Sequence, residues 1–455
     1  MEFSKDFVWG AATASYQVEG AAKEGGRGPS IWDVFSRTPG KVFDMHNGDV
    51  GCDQYHHMKE DVALMKTIGI KAYRFSISWS RVLPMGTGQI NEEGLKYYDS
   101  LVDELLANGI EPYITLFHWD LPYELYKQGG WLNEHIVDWF GEYVKVVVDR
   151  LSDRVTYWIT QNEPQCYIGQ GYKTGTHAPG LTLPWSEALL AAKHSMMAHG
   201  RAVEVIREYA KKAPKVGYAL CGSVAIPKTS SASDIEAARR DMFDAYEKSM
   251  HVVGLFTDPV ILGKYPEGAE ALYGKDLPKL TEADIRLMKQ PLDFLGMNNY
   301  SGHLVTMGED GRPVSLPKVP GRPQTDMHWD IMPEAIYWCF RFMCERYKLP
   351  MYVTENGMAN VDFPARDGKV YDYQRIEYTG RYLEQLRKLV SEGYPVKGYF
   401  HWSLLDNFEW AFGYNRRLGM IYVDYETGKR TIKESGKWYQ NVIKTNGAEL
   451  GGFPV

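Results

Sequence analysis

Two glutamates in this chain stand where an acid or a nucleophile could act. Glu163 follows an apolar run in Thr160-Gln161-Asn162-Glu163-Pro164, and Glu355 follows another in Val353-Thr354-Glu355-Asn356-Gly357. Hydrolysing an acetal needs two carboxyl groups flanking one bond. One protonates the leaving oxygen, and the other attacks the anomeric carbon or activates a water. Carboxyls about 5–5.5 Å apart give retention and about 6.5–9.5 Å inversion, a distance that sequence does not hold. A lone glutamate at a strand end is as readily a helix cap or a solvated charge. Two of them at corresponding ends of separate runs favour a pair.

Other runs end in the same manner. Phe117-His118-Trp119-Asp120, Met297-Asn298-Asn299-Tyr300, Phe400-His401-Trp402-Ser403 and Asp406-Asn407-Phe408-Glu409-Trp410 crowd polar and aromatic side chains together. Arg74 and Trp79 are placed on such a run, and Gln17 just past one. Amides, imidazoles and carboxylates suit hydroxyl groups, and flat rings suit the apolar face of a sugar. With 13 Trp and 31 Tyr, the aromatic content has a second reading as a large core.

These residues need a scaffold that gathers strand ends. Eight strands are expected, at Phe7–Ala11, Ala72–Trp79, Glu111–Trp119, Tyr157–Asn162, Lys215–Leu220, Phe294–Tyr300, Met351–Glu355 and Val396–Leu404. Helical periodicity separates them. In Gly94–Asn108, Leu95, Tyr98, Leu101, Val102 and Leu105 recur at i, i+3, i+4 spacing, and Gly109 stops the helix. Asn133–Leu151, Trp185–Lys211, Pro333–Tyr347 and Asp372–Glu392 read likewise. Strands alternating with helices imply parallel units, and eight units close a (β/α)8 barrel. A plain barrel needs about 250 residues, so this chain of 455 must carry extended loops after its strands. One catalytic barrel domain over residues 1–455 is expected, with its site at the C-terminal ends of the strands.

At this point the sequence resembles glycoside hydrolase family 1 β-glucosidases along nearly its whole length. The resemblance rests on an ordered set: Phe7-Val8-Trp9-Gly10-Ala11-Ala12-Thr13-Ala14-Ser15-Tyr16-Gln17-Val18-Glu19-Gly20, Tyr73-Arg74-Phe75-Ser76-Ile77-Ser78-Trp79-Ser80-Arg81, Asn162-Glu163-Pro164, Tyr352-Val353-Thr354-Glu355-Asn356-Gly357 and Asp406-Asn407-Phe408-Glu409-Trp410. It implies a retaining, cofactor-free β-glucosidase with Glu163 as acid/base and Glu355 as nucleophile. Arg74, Tyr300 and Asn298 would support the nucleophile. Gln17, His118, Trp119, Asn162, Glu409 and Trp410 would bind the sugar, with Trp402 beneath its ring. Trp329, Cys166, Tyr167 and Leu418 would line the leaving-group side. The family usually has Phe where Leu418 stands, so the resemblance leaves fine substrate preference open. Glu409 accepts from neutral hydroxyls and repels a 6-phosphate, which implies unphosphorylated β-glycosides and oligosaccharides. A sugar-binding pseudoenzyme of the same fold is the alternative, and it would be expected to have lost a carboxylate.

Bulk properties exclude other classes. A net charge of -7 with no basic block argues against nucleic acid. No run reaches the roughly 18 apolar residues of a membrane helix. Met1-Glu2-Phe3-Ser4-Lys5-Asp6 lacks an apolar leader, so a cytoplasmic location is expected unless a leader has been cleaved. Cys52, Cys166, Cys221, Cys339 and Cys344 are odd in number and contain no Cys-x-x-Cys, which reads as scattered reduced thiols. His56-His57 with Glu60 or Asp61 lacks the spacing of a metal site. Gly169-x-Gly171 is followed by Gly175, one residue too far for a dinucleotide fingerprint. No metal or cofactor is expected.

Overall fold

The computed structural model of the protein describes residues 3–451. Met1 and Glu2 of the N-terminal segment, and residues 452–455, lie outside the described residues. The eight main strands are β1 (Val8–Ala12), β2 (Ala72–Ser76), β3 (Glu111–Thr115), β4 (Tyr157–Asn162), β5 (Lys215–Leu220), β6 (Phe294–Asn298), β7 (Met351–Asn356) and β8 (Val396–Trp402). They pair in parallel and in sequence, and β8 returns to β1 to close the barrel. Strands buried on both faces explain why their sequences run apolar rather than alternating.

The main outer helices are α1 (Gln54–Ile68), α2 (Glu92–Ala107), α3 (Ile136–Leu151), α4 (Trp185–Tyr209), α5 (Glu334–Tyr347), α6 (Tyr373–Ser391) and α7 (Glu434–Lys444). Between β5 and β6 four shorter helices, Ala232–Phe243, Val253–Ile261, Ala269–Tyr273 and Glu282–Met288, take that place. In α2 the expected stripe of Leu95, Tyr98, Leu101, Val102 and Leu105 is buried, and Glu92 and Glu93 occupy the first turn, where acidic residues favour the helix dipole. Inside the barrel Tyr113, Ile159, Phe294, Tyr352 and Phe400 pack with Ala12, Ala72 and Ala219. Gly217 makes room for Phe294, because a Cβ there would lie 2.1 Å from that ring.

Four expected strands run too long. β2 ends at Ser76, β3 at Thr115, β6 at Asn298 and β8 at Trp402. Trp79 is not on β2: it opens the short helix Trp79–Val82, and its indole donates to the Gly86 carbonyl at 2.8 Å. The apolar and aromatic residues past these strands continue inward as loop walls, so hydropathy alone cannot find where the ladder stops. Short strands within the loops, including Ala225–Pro227, His303–Met307 and the hairpin Ile421–Val423/Arg430–Ile432, also escaped the sequence reading. No helix among the described residues is long and apolar enough to cross a membrane.

The segment after β8 is anchored by buried charges. Lys433 Nζ lies 2.6 Å from both Asp362 and Asp406, while Arg375 pairs with Asp362 at 2.7 Å and Arg417 with Asp406 at 2.7 Å. Asp406 also accepts from the Gly419 amide at 3.0 Å. This network fixes both ends of the loop carrying Glu409 and Trp410. Lys433→Met should lower stability by about 3–5 kcal/mol, since it strips a cation from two buried carboxylates. A lower urea midpoint at unchanged slope is the expected reading; an unchanged midpoint would show that the two arginines suffice.

Candidate active site

A cavity of about 670 Å³ lies at the C-terminal ends of the strands, with Glu163 and Glu355 both in its wall. The two are 7% and 4% exposed. Both strand ends are irregular. The β4/β5 register shifts between Ile159 and Asn162, and the β6/β7 register between Val353 and Glu355. Such shifts re-aim side chains at a strand's end. Glu163 also takes a left-handed backbone, φ 47°, as the cap of the helix Pro164–Ile168. Trp119, His328 and Trp410 share that conformation. It costs of order 1–3 kcal/mol per non-glycine residue; Trp119, Glu163 and Trp410 are held in it by packing around the cavity, whereas His328 is exposed. Gly357 follows Glu355-Asn356 because a Cβ there would sit 1.8 Å from the Trp402 carbonyl oxygen.

A polar chain links the glutamates across the barrel. Arg74 Nη1 donates to Glu355 Oε1 at 2.7 Å, and Tyr300 OH to Glu355 Oε2 at 2.7 Å. Arg74 Nη2 donates to Asn162 Oδ1 at 2.5 Å, and Asn298 Nδ2 to the same oxygen at 3.0 Å. Asn298 Nδ2 also lies 2.7 Å from Glu163 Oε1. Asn298 was expected beside Glu355, and it serves both carboxyls: its 2.7 Å bond goes to Glu163, and its amide also helps to lower the Glu355 carboxyl. Thr115 and Thr354 brace this chain and were missed from sequence: Thr115 Oγ1 accepts from Arg74 Nε at 3.1 Å, and Thr354 Oγ1 donates to Asn298 Oδ1 at 2.6 Å. Nothing in a threonine's type marks such a role.

Burial, then the neighbouring Glu355 charge, pushes the Glu163 carboxyl up to about 7. Burial raises Glu355 as well, but Arg74 and Tyr300 oppose it. The guanidinium makes Glu355 the member of the pair that stays ionised while Glu163 keeps the proton.

Around the glutamates, His118, Trp119, Trp402, Glu409 and Trp410 line the same cavity. His118 Nε2 lies 3.1 Å from Asn162 Nδ2, and burial, then Arg74, holds this imidazole well below its usual pKa and hence neutral. Nε2 must accept from the amide, so Nδ1, which has no partner among the described residues, carries the proton. Trp410 packs between Trp119 at 4.5 Å and Trp32 at 4.6 Å. Gln17 Nε2 is committed to Asn407 and the Phe408 carbonyl at 3.1 and 2.8 Å, leaving Oε1 buried and unpartnered. Burial, then Glu355 and Glu163, raises the Glu409 carboxyl to about 8, and its Oε2 has no partner.

On the outer side, Cys166, Trp329 and Leu418 line the cavity, with Trp329 5.2 Å from the Tyr300 ring and Leu418 packed in the cluster of Trp402. Tyr167 does not reach the cavity. One helical step from Cys166 turns it into the core, where its OH bonds Gln161 at 3.1 Å and Ser195 at 2.6 Å. Folding also brings Cys221 and His251 beside Cys166, with 3.5 Å between the two sulfurs and all three donor atoms within 4.8 Å of one another. Sequence reasoning missed both. Cys221 directly follows β5, so a strand-end survey extended to that strand would have found it. His56 and His57 lie on the surface against Asp53 and Glu60 at 2.7 and 3.0 Å, while Asp61 is buried on Arg430 at 2.9 Å.

A closed parallel barrel with two buried glutamates at its mouth is the architecture of a glycoside hydrolase, and comparison with known proteins agrees. The profile of glycosyl hydrolase family 1 matches residues 1–448, and the chain belongs to that family. It is 45% identical to Beta-glucosidase A of Thermotoga maritima, covering 98% of this chain and 99% of that one. It is 44% identical to 1,4-beta-D-glucan glucohydrolase of Thermotoga neapolitana, over 98% and 99%. The solved Thermotoga maritima β-glucosidase in complex with galacto-hydroximolactam superposes with a TM-score of 0.90 at 43% identity, covering 98% of this chain and 100% of that one. The chain is a glycoside hydrolase.

Glu409 gives a stability test. Its folded-state value of about 8 lies above the unfolded value near 4.5. The stability linked to its proton is therefore complete below about 4.5 and is lost as pH rises through about 8. Glu409→Gln removes that loss. The variant should melt higher than the parent above pH 8, with the gap closing towards pH 4.5. A gap that does not change with pH would contradict the raised value.

Proposed function

We propose that the chain is a retaining, exo-acting β-glucosidase that releases terminal non-reducing β-D-glucosyl residues by double displacement without a cofactor. Its substrates are cello-oligosaccharides and aryl or alkyl β-glucosides. The observation that carries this reading is the unequal partnering of the two carboxyls, a guanidinium and a phenol on Glu355 against a neutral amide on Glu163. Glu355, bonded by Arg74 and Tyr300, is the nucleophile, and Glu163, pushed up to about 7, is the acid. In the first step Glu355 bonds to the anomeric carbon as the glycosidic bond breaks, and the Glu163 proton goes to the leaving oxygen. The ester so formed is neutral, so repulsion on Glu163 falls and it becomes a base. In the second step Glu163 takes a proton from water, whose oxygen displaces Glu355 and restores the β configuration.

The other residues fit one sugar. Asn162 Nδ2 has a second N–H for the 2-hydroxyl, and the protonated His118 Nδ1 supplies another donor. Gln17 and Glu409 offer unpaired acceptors for the far hydroxyls, with Trp402 as platform. Cys166, Trp329 and Leu418 form the leaving-group wall. Names of the Thermotoga relatives support glucoside and glucan substrates, and the galacto-configured ligand of the solved relative supports side activity on β-galactosides and β-fucosides. A sugar acceptor in place of water on the same ester gives transglycosylation. One barrel comprises the catalytic domain. The five free thiols suit a reducing compartment such as the cytoplasm.

A panel of chromogenic β-glycosides, cellobiose and a 6-phosphoglucoside tests the reading. Preference for the β-glucoside or β-fucoside is expected; preference for the phosphorylated sugar would remove the role given to Glu409. Glu163→Ala should cost about 10²–10⁴-fold in kcat/KM on poor leaving groups and far less on dinitrophenyl glucoside. Full activity of Glu355→Ala would sink the mechanism. For the parent, kcat/KM should fall as pH rises through about 7, where Glu163 surrenders the proton it must donate.

A further inference from the structure

We propose that Cys166, Cys221 and His251 form a binding site for one thiophilic cation of the Zn²⁺ or Cd²⁺ class, and that the bound ion inhibits hydrolysis by capturing Glu163. The three donors lie within 4.8 Å of one another. A tetrahedral Zn²⁺ with Zn–S near 2.3 Å holds its sulfurs about 3.8 Å apart, and here the sulfurs are 3.5 Å apart. The sulfurs therefore need to part by only a few tenths of an ångström, while the His251 nitrogen must swing in to about 3.5 Å from them. The His251 ring makes no hydrogen bond among the described residues; only its main-chain groups do, to Ser249 and Ser223. A neutral imidazole with a free lone pair is what a metal takes.

The site faces the chemistry. All three residues and Glu163 line one cavity, and Glu163 caps the short helix Pro164–Ile168 that carries Cys166. An ion on two sulfurs and one nitrogen has a fourth position, and that carboxylate is placed to fill it. Binding releases the two thiol protons, and any proton on Glu163, to solvent. A coordinated carboxylate has no proton to give a leaving group and no free lone pair for water. The inhibition rests on Glu163 being the acid/base; the binding does not.

Titrating the metal-free enzyme with Cd²⁺ separates these two statements. One thiolate-to-cadmium absorption band should grow and saturate at one equivalent. Hydrolysis should fall in step, by at least about tenfold, and return with a chelator. Cys221→Ser and His251→Ala, each checked for folding by its metal-free melting curve, should weaken Cd²⁺ binding by at least about tenfold. His56→Ala, on the exposed surface, should bind as the parent does. Parent-like binding by Cys221→Ser, or binding lost in His56→Ala, would overturn the site. Stoichiometric Cd²⁺ bound at full activity would overturn the capture of Glu163 while leaving its catalytic role intact.

Discussion

Glu355 is 4% exposed, and its carboxylate meets Arg74 on one oxygen and Tyr300 on the other. Removing an ion pair from water costs several kcal/mol per ion unless its remaining valences are satisfied. Here they are. Arg74 spends its other donors on Asn162, Thr115 and the Thr354 carbonyl. Those partners come from β3, β4 and β7, while Arg74 comes from β2 and Asn298 from β6. Only a closed ring of strands brings five such ends to one point, so the barrel and the charged site are a single constraint.

From that anion the rest of the site follows. A second carboxyl buried beside it cannot ionise freely, and burial, then the Glu355 charge, raises Glu163. Glu409, further off, feels both. The strained backbones at Trp119, Glu163 and Trp410 lie around the same cavity, where burial and packing hold them against their cost. The buried Lys433–Asp406 pair then secures the loop that carries Glu409 and Trp410.

Much of this was legible in the sequence, because barrel strands are runs of apolar residues with a polar end. All eight strands stand within four residues of their expected bounds, and both glutamates sit at strand ends. What was not legible depends on direction rather than type. Tyr167 follows Cys166 by one residue, yet helical rotation buries it among Phe117 and Trp131. Asn298, paired with Glu355 across β6 and β7, also reaches Glu163, a second partner that strand position alone does not reveal. His251 joins Cys166 only through tertiary packing across 85 positions of chain, for which no spacing rule exists.

The coupling between the two glutamates can be measured directly. With ¹³C-labelled glutamate, the carboxyl resonance of Glu163 reports its titration in the free enzyme and again after Glu355 is esterified by a 2-deoxy-2-fluoroglucoside. The account predicts a midpoint of about 7 in the free enzyme and a clear fall once the Glu355 charge is gone. A midpoint that stays in place after esterification would contradict it, leaving burial alone to set the proton on Glu163.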